Sequence, residues 1–520
     1  MTRSLDAIVI GAGHNGLSCA TYLARKGLKV LCLDANPVPG GLASRHNFGE
    51  HYSVPSLAPF GAVPSKRVID ELALGAAGYQ NGPIANTLSL DTNGQHLALT
   101  AEGLTAAKLS ETDKESFRTF SHQVRAFSKT LQPMLMTRPP RLKHMDGHDK
   151  RTLARLGWNL RATLGRDNMN EFLRMVGSNI YDVLDDSFTD ERLKALISTD
   201  AVMGNAMGPR TPGSVLTWLC RSQLTLDAAR TVNASDKSEL IQALLRSAEA
   251  NGCELRLNSS VTRITTSEGN CSGIELSTGE RVLAPCVISS ADPRHTFLEL
   301  LGARKLDAMF ANRVKQIRGD GVVAKLHLGL SRLPNFDGVN EQQLSERVLI
   351  APSMRYAERA FNACKHGEYS TKPIIEFTVP SLHNEALAPH GHHVLSANIA
   401  YVPYALKGGW NSEARATVRK HTVDLIGQYS SDLHECIVAS ECLTPKDLER
   451  MSPGSRGHWH HGDMSMHQSL MLRPVYGAAQ YDTPLPGLYL CGAGTHPGGD
   501  LLGLAGLSAA QRVVEREPRL

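Results

Sequence analysis

The segment that most restricts the fold lies at the N-terminus, where a short apolar run leads into three closely spaced glycines. Residues 6–10 (DAIVI) are typical of a buried parallel strand, and Gly11, Gly13 and Gly16 follow in GxGxxG spacing. The first glycine permits a tight turn, the second lets the backbone approach a pyrophosphate, and the third lets a helix pack closely on the strand. The pattern predicts a helix over residues 17–26 whose free N–H groups face phosphates.

An acidic residue ends the second predicted strand. Residues 28–33 (LKVLCL) form that strand, and Asp34 follows directly. A carboxylate at this place accepts hydrogen bonds from ribose hydroxyls and repels a 2′-phosphate. Strand, glycines, helix, second strand and acid together predict that this part of the chain binds an adenine dinucleotide.

The residues after Asp34 bear on the choice between FAD and NAD. Gly40 and Gly41, followed by Leu42 and Ala43, resemble the GG motif of the glutathione-reductase-like and amine-oxidase-like FAD families. A plain Pro-Gly-Gly turn would leave the same pattern. The resemblance implies FAD.

A second glycine-rich stretch, LYLCGAGTHPGGDLLG, occupies residues 488–503. Gly492 and Gly494 have the spacing of a dinucleotide turn, but Pro497 stands at the third glycine position. Proline would interrupt the helix that has to begin there, and it has no N–H to face a phosphate. The stretch is therefore not predicted to be a second dinucleotide turn.

Several motifs together resemble the phytoene desaturase-like FAD oxidoreductases. They are GAGHNG at the N-terminus, ISSADP at 288–293, HHGDMSMHQSLMLRPVYG at 460–477 and LPGLYLCGAGTHPGGD at 485–500. Within that family they are most similar to a group named for a pyridine nucleotide-disulphide oxidoreductase domain. The ten cysteines contain no CxxC pair, so the sequence gives no support for disulphide chemistry.

The resemblance implies an α/β fold in which a Rossmann-like FAD-binding domain, of the glutathione-reductase/amine-oxidase type, is interleaved with a mixed α+β substrate domain. Residues 105–235 are mostly helical in pattern, whereas the runs at 321–330, 372–380 and 392–403 partly alternate apolar and polar residues, as half-buried antiparallel strands do. We expect the FAD-binding domain to take 1–60, 236–296 and 484–520, and the substrate or cap domain to take 61–235 and 297–483.

The resemblance also implies that one FAD is held from both ends of the chain. Val261 is expected to lie against the adenine through its backbone, and Ser290 and Ala291 near the pyrophosphate. A helix beginning near residues 502–504 would direct its N–H groups at the isoalloxazine, which stabilises negative charge there. The predicted FAD-binding residues are Gly11, Gly13, His14, Asn15, Gly16, Asp34, Ala35, Gly41, Leu42, Ala43, Val261, Ser290, Ala291, Gly492, Ala493, Gly494, Leu502, Gly503 and Leu504.

Polar residues within the family-like motifs are the candidates for catalysis. The histidines around residues 458–461 could instead form an exposed turn, and Arg473 could pair with Asp463 merely to hold a loop. No metal site is predicted, because adjacent histidines point in different directions. The predicted catalytic residues are His461, Asp463, Arg473 and His496.

Asp500 departs from the family pattern, which has glycine at this place. A carboxylate close to the flavin would oppose negative charge on its pyrimidine edge and lower its reduction potential. The alternative is that Asp500 caps the C-terminal helix away from the flavin. We expect capping.

The length, composition and net charge of the chain restrict its domain number, its partners and its location. A chain of 520 residues suggests two or three domains, and 42% hydrophobic with 20% charged residues is typical of a soluble globular protein. The net charge of +4 does not favour a nucleic-acid partner, and none is expected. No apolar run approaches the roughly 18 residues of a membrane span, and no signal or transit peptide is recognised. We expect a cytoplasmic location and reduced cysteines.

Residues 131–170 form a basic segment, with eight Lys or Arg against three acids. Leucines, methionines and Trp158 are interspersed among the charges. Such a segment could rest on an anionic membrane surface and admit a lipid-soluble substrate. A solvated helix face is the simpler interpretation.

The family resemblance implies hydride exchange between FAD and an unactivated carbon chain, commonly an isoprenoid polyene. We therefore expect an FAD-dependent dehydrogenase or desaturase of a lipophilic substrate, with oxygen or a quinone as electron acceptor. A redox-neutral isomerase and a flavoprotein that mainly binds a partner are the alternatives. Amine oxidation is disfavoured, because no aromatic pair flanks the final glycine segment.

Overall fold

The computed structural model describes residues 5–60, 63–80, 86–100, 102–106, 108–226 and 237–518. The strands are β1 (Ala7–Ile10), β2 (Val30–Leu33), β3 (His46–Phe48), β4 (Tyr52–Val54), β5 (Val63–Pro64), β6 (Thr87–Ser89), β7 (Leu97–Thr100), β8 (Gly103–Ala106), β9 (Glu254–Arg256), β10 (Val261–Ser267), β11 (Asn270–Leu276), β12 (Arg281–Leu283), β13 (Cys286–Ser289), β14 (Val323–Leu330), β15 (Arg347–Ile350), β16 (Ile375–Thr378), β17 (His393–Ala400), β18 (Ile437–Leu443), β19 (Leu488–Leu490) and β20 (Leu501–Leu502). The helices are α1 (His14–Arg25), α2 (Lys66–Glu71), α3 (Glu111–Met136), α4 (Gly147–Gly177), α5 (Ile180–Ser187), α6 (Glu191–Val202), α7 (Ser214–Leu226), α8 (Lys237–Ala250), α9 (Ala308–Lys315), α10 (Glu341–Ser345), α11 (Met354–Lys365), α12 (Ser412–Ile426), α13 (Leu433–Cys436), α14 (Pro445–Met451) and α15 (Leu504–Arg516).

A five-stranded parallel sheet has the order β19, β13, β1, β2, β9. Successive residues of a strand point to opposite faces of the sheet, and both faces of β1 are buried. Ala7 and Val9 pack with α1, α8 and α15, whereas Ile8 and Ile10 pack with the antiparallel sheet β10–β11–β12. This three-layer arrangement confirms the Rossmann-like FAD-binding fold that the family resemblance implied.

An eight-stranded sheet has the order β18, β14, β17, β16, β15, β6, β7, β8. Strands β14, β16 and β17 pair antiparallel, as the alternating runs predicted. The expectation that these strands are half-buried is wrong, since all eight residues of β14 are buried. Leu326, Leu328 and Leu330 pack in an apolar core on one face, while Lys325 and His327 are covered on the other.

Helices α3 to α7 form a layer against this second sheet, as the helical pattern predicted; residues 227–235 of that pattern lie outside the described residues. Phe120 stacks on Trp218 at 5.5 Å between ring centroids, and both belong to a core that includes Val323 of β14. Helix α4 is interrupted at Gly165, whose φ is +70°. No helix in the described parts of the chain combines the length and apolarity needed to cross a membrane.

The ten cysteines all lie in described parts of the chain, and none forms a disulfide. Burial raises the pKa of the Cys253 and Cys442 thiols to about 12, so neither is a reactive thiolate near neutral pH. The structure thus offers these two cysteines no role in thiol chemistry.

Candidate active site

A cleft runs across the carboxyl ends of β1 and β2, the edge at which ligands bind in open parallel sheets. At one end lie Asp34 and the segment around Val261, and at the other lie Ala493, Trp459 and His461. The lining residues are Ile10, Gly11, Gly13, His14, Asn15, Leu33, Asp34, Ala35, Asn36, Gly40, Gly41, Leu42, Ser259, Ser260, Val261, Ser290, Ala291, His295, Leu300, Met451, Ser452, Pro453, Trp459, His461 and Ala493.

The glycine turn leaves room for a ligand at one position and packs tightly at the others. A Cβ added to Gly16 would lie 1.8 Å from the carbonyl oxygen of Gly11, and one added to Gly11 would lie 2.4 Å from Oγ of Ser290. A Cβ added to Gly13 would meet no protein atom within 4 Å. Gly13 is also the N-cap of α1 and provides no side-chain cap, so the first N–H groups of the helix are free for an anion.

Asp34 is buried at the other side of this turn. Its Oδ2 accepts the Ala12 N–H at 2.7 Å, and its Oδ1 accepts the backbone and side-chain N–H groups of Asn36 at 2.8 and 3.0 Å. Oδ2 can therefore accept a further hydrogen bond. The sheet edge formed by β2, Asp34 and Val261 has the acceptor that an adenosine ribose requires.

The arrangement fits FAD. The carboxamide oxygen of Asn15 is buried beside the free helix start, and no donor in the described parts of the chain reaches it. Buried polar atoms in native proteins are nearly always paired, so an orphan on the wall of a cleft indicates a missing ligand or water. The open space at Gly13 and the free N–H groups of α1 form a pyrophosphate cradle, and the Asn15 oxygen beside it is an acceptor for a hydroxyl group or a water.

The predicted FAD-binding residues divide into two groups. Most line the cleft, including Val261, Ser290 and Ala291 from the middle of the chain and Ala493 from its C-terminal part. The others are buried and do not line it. These are Gly16, Ala43, Gly492, Gly494, Leu502, Gly503 and Leu504.

The glycines of the C-terminal stretch show why the second group matters. A Cβ on Gly492 would lie 2.3 Å from the carbonyl oxygen of Ser290, and one on Gly494 would lie 2.5 Å from Cδ of Pro293. These glycines therefore allow the segment after β19 to lie against the segment after β13. Ala493, between them, is the residue that reaches the cleft.

The four predicted catalytic residues are placed very differently. His461 lines the cleft, and burial of its ring lowers its pKa to about 4. His496 does not line the cleft, and burial lowers its pKa to about 4 although the backbone at Met134, Leu135 and Leu470 favours its charged form. Asp463 Oδ1 accepts the Ala206 N–H at 3.0 Å and lies 3.1 Å from Nε2 of His458.

Arg473 is fully buried and holds a loop together. Its terminal nitrogens donate to the carbonyl oxygens of His460, Gly462, Asp463, Gln468 and Ala493. It therefore reaches Asp463 through the backbone and not through the carboxylate. His458 and His460 are also buried, so the interpretation of this stretch as an exposed turn is wrong.

Asp500 does not cap the C-terminal helix, contrary to expectation. Helix α15 begins at Leu504 behind Gly503, and no side chain caps it. Instead Asp500 Oδ2 accepts from Nε of Arg221 at 2.7 Å, and its Oδ1 lies 3.3 Å from Nε2 of His460. Burial alone would raise the pKa of Asp500, but Arg221 and His460 outweigh it and hold the pKa far below its usual value.

The eight-stranded sheet has two rows of buried polar residues on the face that carries Lys325 and His327. The sequence analysis did not predict them. Lys325, Asn398 and Glu376 are cross-strand neighbours in one row, and His327, Ser396 and Thr378 in the next. Such residues were hidden because each strand, taken alone, shows only single polar residues among apolar ones. The pairing register, which the sequence does not reveal, brings them together.

Lys325 is the member of these rows next to the cleft. Its Nζ lies 5.5 Å from the ring centroid of Trp459, a residue of the cleft wall, and donates to the Ala58 carbonyl at 3.3 Å. Burial lowers the pKa of Lys325 to about 7. Three further polar atoms near Lys325 are buried and have no hydrogen-bond partner among the described residues: Asn398 Oδ1, His327 Nε2 and Trp459 Nε1. They are available for hydrogen bonds to a ligand or a water.

Comparison with known proteins agrees with this geometry. Residues 9–65 match the model of an NAD(P)-binding Rossmann-like domain, and residues 182–514 match that of the flavin containing amine oxidoreductases. The wild-type structure of putrescine oxidase bound to putrescine has the same fold, with a TM-score of 0.59 at 15% identity and 99% of each chain covered.

Three relatives are similar to this chain over almost its full length. The pyridine nucleotide-disulfide oxidoreductase domain-containing protein 2 of Mus musculus is 31% identical over 541 residues, covering 98% of this chain and 93% of the relative. A limonene dehydrogenase polypeptide of Castellaniella defragrans is 25% identical, covering 99% and 95%. Hydroxyneurosporene desaturase of Rhodobacter capsulatus is 24% identical, covering 96% and 95%.

The fold and the cleft define an FAD-dependent oxidoreductase. The chain belongs to the flavin containing amine oxidoreductase family, and its full-length relatives confirm the resemblance to the desaturase-like members that the motifs predicted.

Proposed function

We propose that this oxidoreductase dehydrogenates a lipophilic substrate of isoprenoid or polyene type, turning a C–C single bond into a double bond. Two relatives that match almost the whole chain are named for limonene and hydroxyneurosporene. Bound FAD supplies the hydride acceptor. Oxygen or a quinone is the proposed final electron acceptor.

The observation that carries the proposal is the charge of the groups at the His461 end of the cleft. Among the described residues that line the cleft, Asp34 is the one acid, and it lies at the other end. An ammonium substrate would find no unpaired carboxylate among them here, whereas an uncharged hydrocarbon needs none. Three buried acids of the neighbouring segments already have partners, namely Asp292 with Arg294, Asp463 with His458 and Asp500 with Arg221.

Removing hydride from one carbon requires that a proton leave the neighbouring carbon. A general base works best when its pKa lies near the working pH. Lys325, with a pKa of about 7, meets this condition better than His461, with a pKa of about 4. We therefore propose that Lys325 accepts the proton and that His461 contributes to the cleft wall.

Anaerobic mixing of the FAD-loaded protein with candidate substrates tests the function. We expect limonene-like or carotenoid-like hydrocarbons to bleach the oxidised flavin absorbance and to gain a double bond, while putrescine leaves the spectrum unchanged. Bleaching by putrescine alone would replace the proposal with amine oxidation. A rearranged product without net bleaching would indicate the isomerase, and an unchanged spectrum with all substrates would favour a partner-binding flavoprotein.

Lys325→Met tests the proposed base. Loss of a general base slows proton transfer by about 10²- to 10⁴-fold, so we expect the rate of flavin reduction to fall by that factor with FAD content unchanged. The wild-type pH profile should contain an ionisation near 7 that the variant lacks. Lys372→Met makes the same change at an exposed position before β16, and this control should keep the wild-type profile.

The stability of wild type and Lys325→Met gives an independent measure. The Lys325 amine is protonated in the unfolded chain up to about pH 10.4. In the folded protein it loses its proton near pH 7. Between these values the unfolded state binds more protons, so the wild type gains stability relative to Lys325→Met as the pH rises. A constant difference across this pH range would mean that the folded pKa is not lowered.

A further inference from the structure

A second cavity, of about 180 Å³, lies apart from the cleft, where α2, the end of α3, the start of α4 and α15 meet. It is smaller than the cleft, which by the same measure has about 270 Å³. Its lining residues are Arg67, Thr137, Arg138, His148, Thr152, Arg155, Ser508, Gln511, Arg512 and Glu515.

Positive charge exceeds negative charge around this cavity. Asp482 alone pairs with Arg141, Arg512 and Arg516, at 3.0, 3.2 and 3.3 Å. Glu515 is shared by Arg138 and Arg512 in the same way, and Glu71 pairs with Arg67. Five arginines thus share three carboxylates. The nearby Asp146 and Asp149 are engaged in the capping box of α4.

Two arginines of the wall keep donors free. Nε of Arg138 is buried and has no hydrogen-bond partner among the described residues. Arg155, on the first turns of α4, makes no ion pair with any carboxylate in the described parts of the chain. Guanidinium groups bind phosphate oxygens through paired N–H donors, and several arginines around one small cavity favour a group with more than one negative charge.

We propose that this cavity binds a phosphate monoester group. Its source is either a soluble phosphorylated compound or the headgroup of a phospholipid such as phosphatidic acid. The second source gains from the surface next to it, where Leu142, Met145 and Trp158 are 55%, 39% and 72% exposed. Trp158 stands three residues after Arg155 on α4 and therefore on the same face of the helix. Tryptophan is the side chain enriched at membrane interfaces.

Titration of the FAD-loaded full chain with inorganic phosphate, at constant ionic strength set with chloride, tests the site. We expect saturable binding that Arg155→Ala weakens at least tenfold. Arg161→Ala removes the same charge from an exposed position of the same helix, outside the cavity, and should bind phosphate as the wild type does. Both arginines are exposed, so thermal unfolding should be unchanged in both variants.

Flotation with vesicles separates the two sources. Recruitment to phosphatidylcholine vesicles containing phosphatidic acid, but not to those containing the diester phosphatidylglycerol, assigns the site to a lipid headgroup if Arg155→Ala abolishes it. Binding of glycerol 3-phosphate without flotation assigns it to a soluble ligand. Absence of saturable phosphate binding, or equal weakening by Arg155→Ala and Arg161→Ala, would overturn the proposal by reducing the cavity to diffuse positive charge.

Discussion

Gly16→Ala should cost the protein both its FAD and a large part of its stability, although alanine is by far the better helix former. The added Cβ would lie 1.8 Å from the Gly11 carbonyl oxygen, a backbone atom that cannot rotate away. Relief would require α1 to move off the turn after β1. Overpacking of this kind costs about 1 to 3 kcal/mol or more, against the roughly 1 kcal/mol that alanine gains in a helix.

Gly13→Ala is the matched comparison. Its Cβ would meet no protein atom within 4 Å, so the free energy of unfolding of the FAD-free chain should change by less than about 0.5 kcal/mol. The same methyl group would project into the space assigned to the pyrophosphate. We therefore expect FAD affinity to fall at least tenfold, which corresponds to about 1.4 kcal/mol.

Thermal unfolding of the FAD-free proteins and titration with FAD separate the two effects. Wild-type FAD affinity in Gly13→Ala would mean that the pyrophosphate lies elsewhere in the cleft. Undiminished stability in Gly16→Ala would mean that α1 can shift without cost.

Asp500→Asn should strongly destabilise the protein, because it removes one charge of a largely buried ion pair. The Asp500 and Arg221 side chains are only 11% and 12% exposed, and asparagine would remove the carboxylate charge from this pair. Removing one partner of a buried ion pair costs about 3 to 5 kcal/mol. The Arg221 donors to the carbonyls of Asp200 and Met203 would remain, so the loss is assigned to the charge.

A double-mutant cycle with Arg221→Met measures the coupling. If the pair acts as described, Asp500→Asn should cost much less when Arg221 is already methionine. Asp424→Asn, which breaks an exposed pair with Lys420, should cost less than about 1 kcal/mol. Equal costs for Asp500→Asn in both backgrounds would contradict the pairing.

Acid titration tests the same ion pair through the pH dependence of the stability that it contributes. The pKa of Asp500 is held well below its usual value, so its contribution is complete above the unfolded pKa of about 3.9 and declines as the pH falls below it. The stability difference between wild type and Asp500→Asn should therefore stay constant from neutral pH down to about pH 5 and shrink only in stronger acid.

The parts of the fold that sequence reasoning predicted are those specified by neighbours in the chain. The turn from β1 through Gly11 to α1 and the acid at Asp34 follow from local spacing, and the structure has them in place. The exclusion of a second dinucleotide turn by Pro497 is equally local, and the stretch instead completes the same parallel sheet through β19.

The parts that could not be predicted depend on partners far away in the chain. Asp500 was expected to cap the helix that follows it. Instead it forms an ion pair with Arg221 of α7, which is far away in the chain. Lys325 was missed because one lysine in an apolar strand does not reveal which residues face it. Arg473 lies in a family-like motif, yet its donors are used by five carbonyls that only the folded loop brings together.

The position of β19 at the edge of the parallel sheet bears on how the chain is made. On the ribosome, β1, β2, β9 and β13 emerge before strands β14 to β18 of the second sheet, and these five strands must follow before β19 can cover the open side of β13. Until then β13 presents unpaired backbone groups, which are prone to join other chains. Ala493 and the packing of α15 on α1 also arrive last, so the cleft is finished only after synthesis of nearly all the described chain. Capture of FAD is therefore a late event in the life of the nascent protein.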